Sequence, residues 1–118
     1  MSYMININGI NNVLESHISK SIEYICIVTN RCEDVAFTKK YPRVKRLCPM
    51  VYNIWKTQCM VDVAVKKFFF ASDKYRILVQ SFGDFIFIMF GNNKAEIGDL
   101  FSKMNLIQST LANLLSLN

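Results

Sequence analysis

The segment Phe85-Ile-Phe-Ile-Met-Phe90 is an unbroken apolar run, bounded by Gly83-Asp84 and by Gly91-Asn-Asn93. It is too short for an ordinary helix and is built of aromatic and β-branched residues, so it reads as a strand. Side chains alternate across a strand, which puts Phe85, Phe87 and Met89 on one face and Ile86, Ile88 and Phe90 on the other. A sheet with one wet face would alternate apolar with polar residues. Both faces of this strand must therefore be covered, and the smallest arrangement that does so has three layers.

The rest of the chain supplies the other layers. Lys67-Phe-Phe-Phe-Ala71 and Tyr75–Phe82 precede the apolar run, with Ser72-Asp-Lys74 and Gly83-Asp84 between them. Both gaps are short enough for hairpin loops, so the three strands form an antiparallel meander. Ile22–Asn30 and Val35–Thr38 flank the turn Asn30-Arg-Cys-Glu-Asp34 and make a further hairpin. Ahead of it, Ile7, Ile10, Val13, Leu14, His17 and Ile18 follow the spacing of an amphipathic helix over 7–18. Lys39–Arg46 is a basic connection broken by Pro42 and reads as a solvated loop. A second helix begins near Cys48 or Pro49, with room for an irregular turn upstream, and runs to about Val61. From Ala95 onward Ile97, Leu100, Phe101, Met104, Ile107, Leu111, Leu114 and Leu115 define a long third helix. The expected order is α-β-β-α-β-β-β-α: one α+β domain over 1–118 with an extended C-terminal helix, around a five-stranded antiparallel sheet. The one-striped first and third helices cover one face, which leaves the second helix for the other.

Composition sharpens the picture. Of 118 residues 52% are apolar and only 19% are charged, which excludes a disordered tail and is rich for a domain with so much surface to cover. The surplus gathers in the second helix. Its apolar arc runs from Met50 and Val61 through Leu47, Val51 and Ile54 to Trp55, Cys48, Cys59 and Tyr52. That arc spans about 200°, against about 100° for packing on a single sheet. Asn53, Lys56, Thr57 and Met60 mark the remaining side. The strand after it, Phe68-Phe-Phe70, opens the meander and is expected at the sheet edge, where an apolar strand invites pairing. Lys66 and Lys67 flank it as guards. Met50, Tyr52, Trp55 and Cys59 of the helix, with Phe68, Phe69 and Phe70, are accordingly the candidate partner-binding residues.

Catalytic patterns are missing. There is no phosphate loop, the four glycines are scattered, and no Ser or Cys sits in a nucleophile elbow. His17 is the single histidine, on an apolar helix stripe, and Glu33-Asp34, Asp84 and Asp99 fall where turns or caps explain them. Cys26, Cys32, Cys48 and Cys59 have no metal-type spacing and read as reduced core residues. An enzyme, a cofactor and a metal are therefore not expected. The net charge of +5 is modest, and the basic stretch carries only Tyr41 as a stacking residue, so nucleic acid is not the expected partner. No apolar run approaches the ~20 residues of a membrane span, and Met1–Asn6 lacks the features of a secretory signal; residence in the cytosol is the expectation.

The first helix leading into Ile22-Glu-Tyr-Ile-Cys-Ile-Val-Thr-Asn30, the Leu47-Cys-Pro-Met50 helix start, the meander Lys67–Phe90 and the Gly91-Asn-Asn approach to a long last helix together resemble the roadblock family of small dimerising domains. Within it the likeness is greatest to the kinase-scaffold type of subunit in the late-endosomal Ragulator adaptor. The turn Asn30-Arg-Cys-Glu-Asp34 departs from the family in lacking a glycine after the first strand. The resemblance implies a roadblock/profilin-like three-layer fold and a heterodimer with another roadblock subunit, joined through the second helices and the third strands. It further implies an adaptor that binds Rag GTPases and supports TOR and MAP-kinase signalling. That adaptor would sit at the late-endosomal or lysosomal surface, with membrane contact only through a lipidated partner. A dynein-type roadblock light chain and a longin-like trafficking module are the alternatives; the long last helix and the opening helix respectively count against them.

Overall fold

The computed structural model describes residues 7–39, 42–61 and 66–112. In chain order the elements are α1 (Ile7–Ser16), β1 (Ile22–Thr29), β2 (Asp34–Phe37), α2 (Pro42–Lys45), α3 (Cys48–Val61), β3 (Lys67–Ala71), β4 (Tyr75–Phe82), β5 (Phe85–Asn92) and α4 (Ile97–Leu111). The strands form one five-stranded antiparallel sheet in the spatial order β2-β1-β5-β4-β3. The doubly apolar strand β5 is its centre, pairing Met89 with both Ile25 of β1 and Leu78 of β4. It is buried from Phe85 to Gly91, as its two apolar faces require.

Two cores lie on either side of it. Phe85, Phe87 and Met89 pack with Ile25, Ile27 and Leu78 beneath α1 and α4, which contribute Ile10, Leu14, Leu100, Met104, Ile107 and Leu111. Ile86, Ile88 and Phe90 pack with Tyr24, Cys26, Val28, Ile77 and Val79 beneath Cys48, Val51 and Tyr52 of α3. The expected α+β architecture, with two helices on one face and the middle helix on the other, is the one observed.

Glycine and turn chemistry fix the ends of the elements. β5 continues past Phe90 to Asn92 because Gly91 sits where a side chain would not fit: a Cβ there would lie 2.6 Å from Ala95 Cβ and 3.2 Å from the Ser21 carbonyl. Gly83 takes φ 61° in the tight β4–β5 turn. In the β1–β2 turn that left-handed role falls to Cys32 at φ 64°, the place where the sequence offers no glycine.

Three boundaries differ from expectation. α1 closes at Ser16, and His17 and Ile18 form a tighter turn through amide bonds to the Leu14 and Glu15 carbonyls. β2 begins at Asp34, which had been placed in the turn, and ends at Phe37. The basic connection is not all loop: Pro42 opens the short helix α2 instead of breaking structure, as proline can in a first helical turn. Val44 anchors that helix, only 1% exposed. Lys40 and Tyr41, and the Leu114–Leu115 end of the expected last helix, lie outside the described residues.

Candidate partner interface

α3 carries two apolar stripes. Cys48, Val51, Tyr52, Trp55 and Cys59 recur at three- and four-residue spacing and face the sheet. Cys48, Val51 and Tyr52 are buried, while Trp55 and Cys59, further along, are half-buried. The other stripe is Leu47, Met50, Ile54 and Val61, aliphatic and turned aside from the sheet. Met50 is 50% exposed and Val61 82%, with Ile54 half-buried between them. Tyr52 Oη donates to the Asn30 carbonyl, which ties the opposite flank of the helix to the β1–β2 turn. The aliphatic stripe therefore lies on the side away from that turn.

The two edges of the sheet are treated differently. At β2, alternation sends the main chain of Thr38 toward β1 and that of Phe37 and Lys39 outward. α1 meets both outward amides: Phe37 N–H donates to Asn11 Oδ1 at 3.3 Å and Lys39 N–H to Glu15 Oε1 at 2.8 Å. Side chains four residues apart on one helix thus cover two alternate amides of the strand. At β3 no further strand lies beyond it among the described residues. The Lys66 carbonyl and the Ser72 amide point into β4, so the main-chain groups of Lys67, Phe69 and Ala71 point out. Phe68 and Phe70, with ring centroids 5.3 Å apart, pack on the α3 side with Trp55, and Phe69 packs on the other side. All three phenylalanines are half-buried.

The candidate residues thus separate. Met50 and Phe68–Phe70 lie on surface that a partner can reach. Tyr52, only 6% exposed, belongs to the core, and Trp55 turns the same way, its Nε1 buried without a partner. Cys59 sits half-buried on the sheet-facing stripe. Ile54 and Val61 were passed over, although both stood in the apolar arc. The signal that finds them is the Leu47-Met50-Ile54-Val61 spacing, a second stripe beside the first.

Other singled-out groups have local roles. Cys26 Sγ lies 3.4 Å from Cys48 Sγ, joining β1 to the start of α3, and that hydrogen bond together with burial raises the Cys26 thiol well above its usual pKa. Cys32 and Cys59 are half-buried, so two of the four cysteines sit at the core margin and not inside it. His17 is half-buried, and desolvation, with the Lys103 charge second, lowers its pKa. Within the basic segment, Lys45 Nζ stands 3.6 Å above the Phe37 ring and 3.7 Å from Asp34 Oδ2. Among the described residues no group of three or more His, Cys, Asp or Glu side chains could hold a metal ion.

A five-stranded antiparallel sheet in this order, with α1 and α4 on one face and α3 on the other, is the fold of roadblock/LC7 domains. Among solved structures the chain is similar to the gliding protein MglB of Thermus thermophilus (TM-score 0.77, 13% identity, 97% of this chain and 93% of that one). It is similar also to an MglB described with a tetrameric arrangement (TM-score 0.75, 15% identity, 97% and 93%). A roadblock/LC7 domain from Streptomyces avermitilis matches as well (TM-score 0.74, 8% identity, 97% and 98%). Identities this low show a shared fold. No protein-family profile and no curated protein sequence matches the chain.

Proposed function

We propose that this chain is a non-catalytic adaptor subunit that works by pairing with a second roadblock-fold chain. The pairing surface is the Leu47-Met50-Ile54-Val61 stripe of α3 together with the outer edge of β3. The observation that carries this reading is the second apolar stripe: a helix already anchored to its own sheet keeps an aliphatic flank in water, beside a sheet edge that is still open. The MglB tetramer supports it as a case of a chain of this fold assembling with others.

The finer reading rests on the sequence resemblance. In it the partner is a different roadblock subunit, and the pair belongs to a Ragulator-like complex that docks Rag GTPases for TOR and MAP-kinase signalling. The seat is the late-endosomal or lysosomal surface, reached through a lipidated partner. Affinity purification of the tagged full chain from its source cells, with identification of the bound chains, tests both levels. A roadblock-fold partner is the expected result at the first level, and Rag-associated subunits at the second. Recovery of dynein intermediate chain would replace the finer reading and leave the coarser one standing. A folded monomer that retains no roadblock protein would sink both.

A further inference from the structure

On the α4 side of the sheet, opposite α3, a cavity of about 500 Å³ opens beside the β4–β5 turn. Its walls include Gln80 and Ser81 of β4, Gln108 of α4, and Lys66 and Lys67 where β3 begins. Gln80 and Gln108 are 6% and 7% exposed, unusual for side chains with four hydrogen-bonding sites each. Gln80 Nε2 donates to Gln108 Oε1 at 2.7 Å. That single bond leaves Gln80 Oε1 as an acceptor and Gln108 Nε2 as a donor, both buried and both without a partner. Two glutamines could have closed a mutual pair or faced water. Held as they are, they present one acceptor and one donor to whatever enters the cavity.

The charge around them has one sign. Lys66 and Lys67 line the cavity, and no carboxylate does among the described residues. Lys67 Nζ lies 5.6 Å from the Phe101 ring, which keeps its ammonium on the α4 side. We propose that the cavity binds an acidic peptide segment. The ligand has to give a proton to Gln80 Oε1, accept one from Gln108 Nε2 and bring negative charge to the lysines. A peptide unit supplies the first two together through its N–H and C=O, and an adjoining Asp or Glu carboxylate supplies the third. Sulfate offers charge and acceptors but no donor. Water satisfies the glutamines and leaves the lysines without a counter-charge. The site stands on the face opposite α3, so it does not depend on the pairing surface proposed above.

The test is a titration of the ¹⁵N-labelled full chain with N-acetyl-glutamate N-methylamide, followed through the side-chain amide resonances of Gln80 and Gln108. Both should shift saturably. N-acetyl-glutamine N-methylamide, which keeps the peptide groups and loses the charge, should bind roughly tenfold more weakly, as should sulfate. The Lys66→Ala/Lys67→Ala variant alters two exposed side chains and should weaken the acidic ligand by about the same factor. Gln108→Met removes the buried donor and should abolish the response; if that variant fails to fold, the lysine variant decides. Equal affinity for sulfate would make this a simple anion site, and equal affinity for the glutamine compound would remove the acidic requirement. No saturable shift with the acidic ligand would reduce the cavity to a hydrated void. Any of these three results overturns the proposal.

Discussion

Truncating Met50 and Val61 together to alanine should separate association from folding. Val61 is 82% exposed and Met50 50%, so the chain's own core holds little of either side chain. Alanine at such positions should change the stability of the isolated chain by no more than about 0.5 kcal/mol. In the paired state both side chains would be covered. Burying the removed methyl and methylene groups is worth about 1 kcal/mol at each position after allowing for the part already covered, hence about 2 kcal/mol together. That corresponds to a roughly 30-fold rise in dissociation constant. Trp55→Ala is the informative contrast. Trp55 packs against the α3-side core, so its loss should lower the stability of the chain itself, by about 2 kcal/mol for a half-buried aromatic. Sedimentation velocity of the full chain with its co-purified partner reads the first quantity, and urea unfolding of the chain alone reads the second. Wild-type association of the double variant would refute the assignment of the aliphatic stripe to the partner. A loss of chain stability above about 1 kcal/mol in the double variant would show that these residues serve the fold instead.

Further outcomes follow from backbone and titration. Gly91→Ala places a methyl group 2.6 Å from Ala95 Cβ and should destabilise the fold by about 1–3 kcal/mol, read as a fall in urea midpoint at unchanged slope. Cys32→Gly relieves a left-handed side-chain conformation at φ 64°, and should stabilise the chain by about 0.5–1 kcal/mol after the lost packing and added chain entropy are deducted. His17 has a pKa below its usual 6.5, so the unfolded chain binds more protons than the native one in the window just below that value. Its contribution is complete above pH 6.5 and is lost as pH falls toward the folded pKa. Urea midpoints should therefore drop across that window, and His17→Gln should flatten the drop. Alkylation under native conditions should modify Cys32 and Cys59 well before Cys26 and Cys48, a ranking that mass spectrometry after a timed quench would establish.

Much of this architecture could be read from residue order. Phe85–Phe90 demanded two covered faces, and the single stripes of α1 and α4 against the broad arc of α3 assigned the helices to them. What the spacing could not decide was which half of a continuous apolar arc would face the sheet. Tyr52 and Trp55 have the composition of an interface, yet the Tyr52 hydroxyl finds the Asn30 carbonyl, a partner distant in sequence, and that bond turns the aromatic side inward. The aliphatic side is left outside. Pro42 misled for a related reason: a proline reads as a break, and only the burial of Val44 beneath α3's core reveals the short helix it starts. The pairing of Asn11 and Glu15 with β2 was beyond reach in the same way. Both lie on the polar face of an ordinary amphipathic helix, and nothing local marks them as acceptors for another strand.

Those two side chains have a further effect on how such a chain can be put together with others. A sheet open at both ends can add neighbours without limit, in the manner of a fibre. With Asn11 and Glu15 occupying the outward amides of β2, this sheet keeps a valence of one, at β3. Strand pairing can then join two chains and must stop, because each new outer end is already closed. Replacing both acceptors by apolar residues would turn a pair-former into a monomer unit for polymerisation.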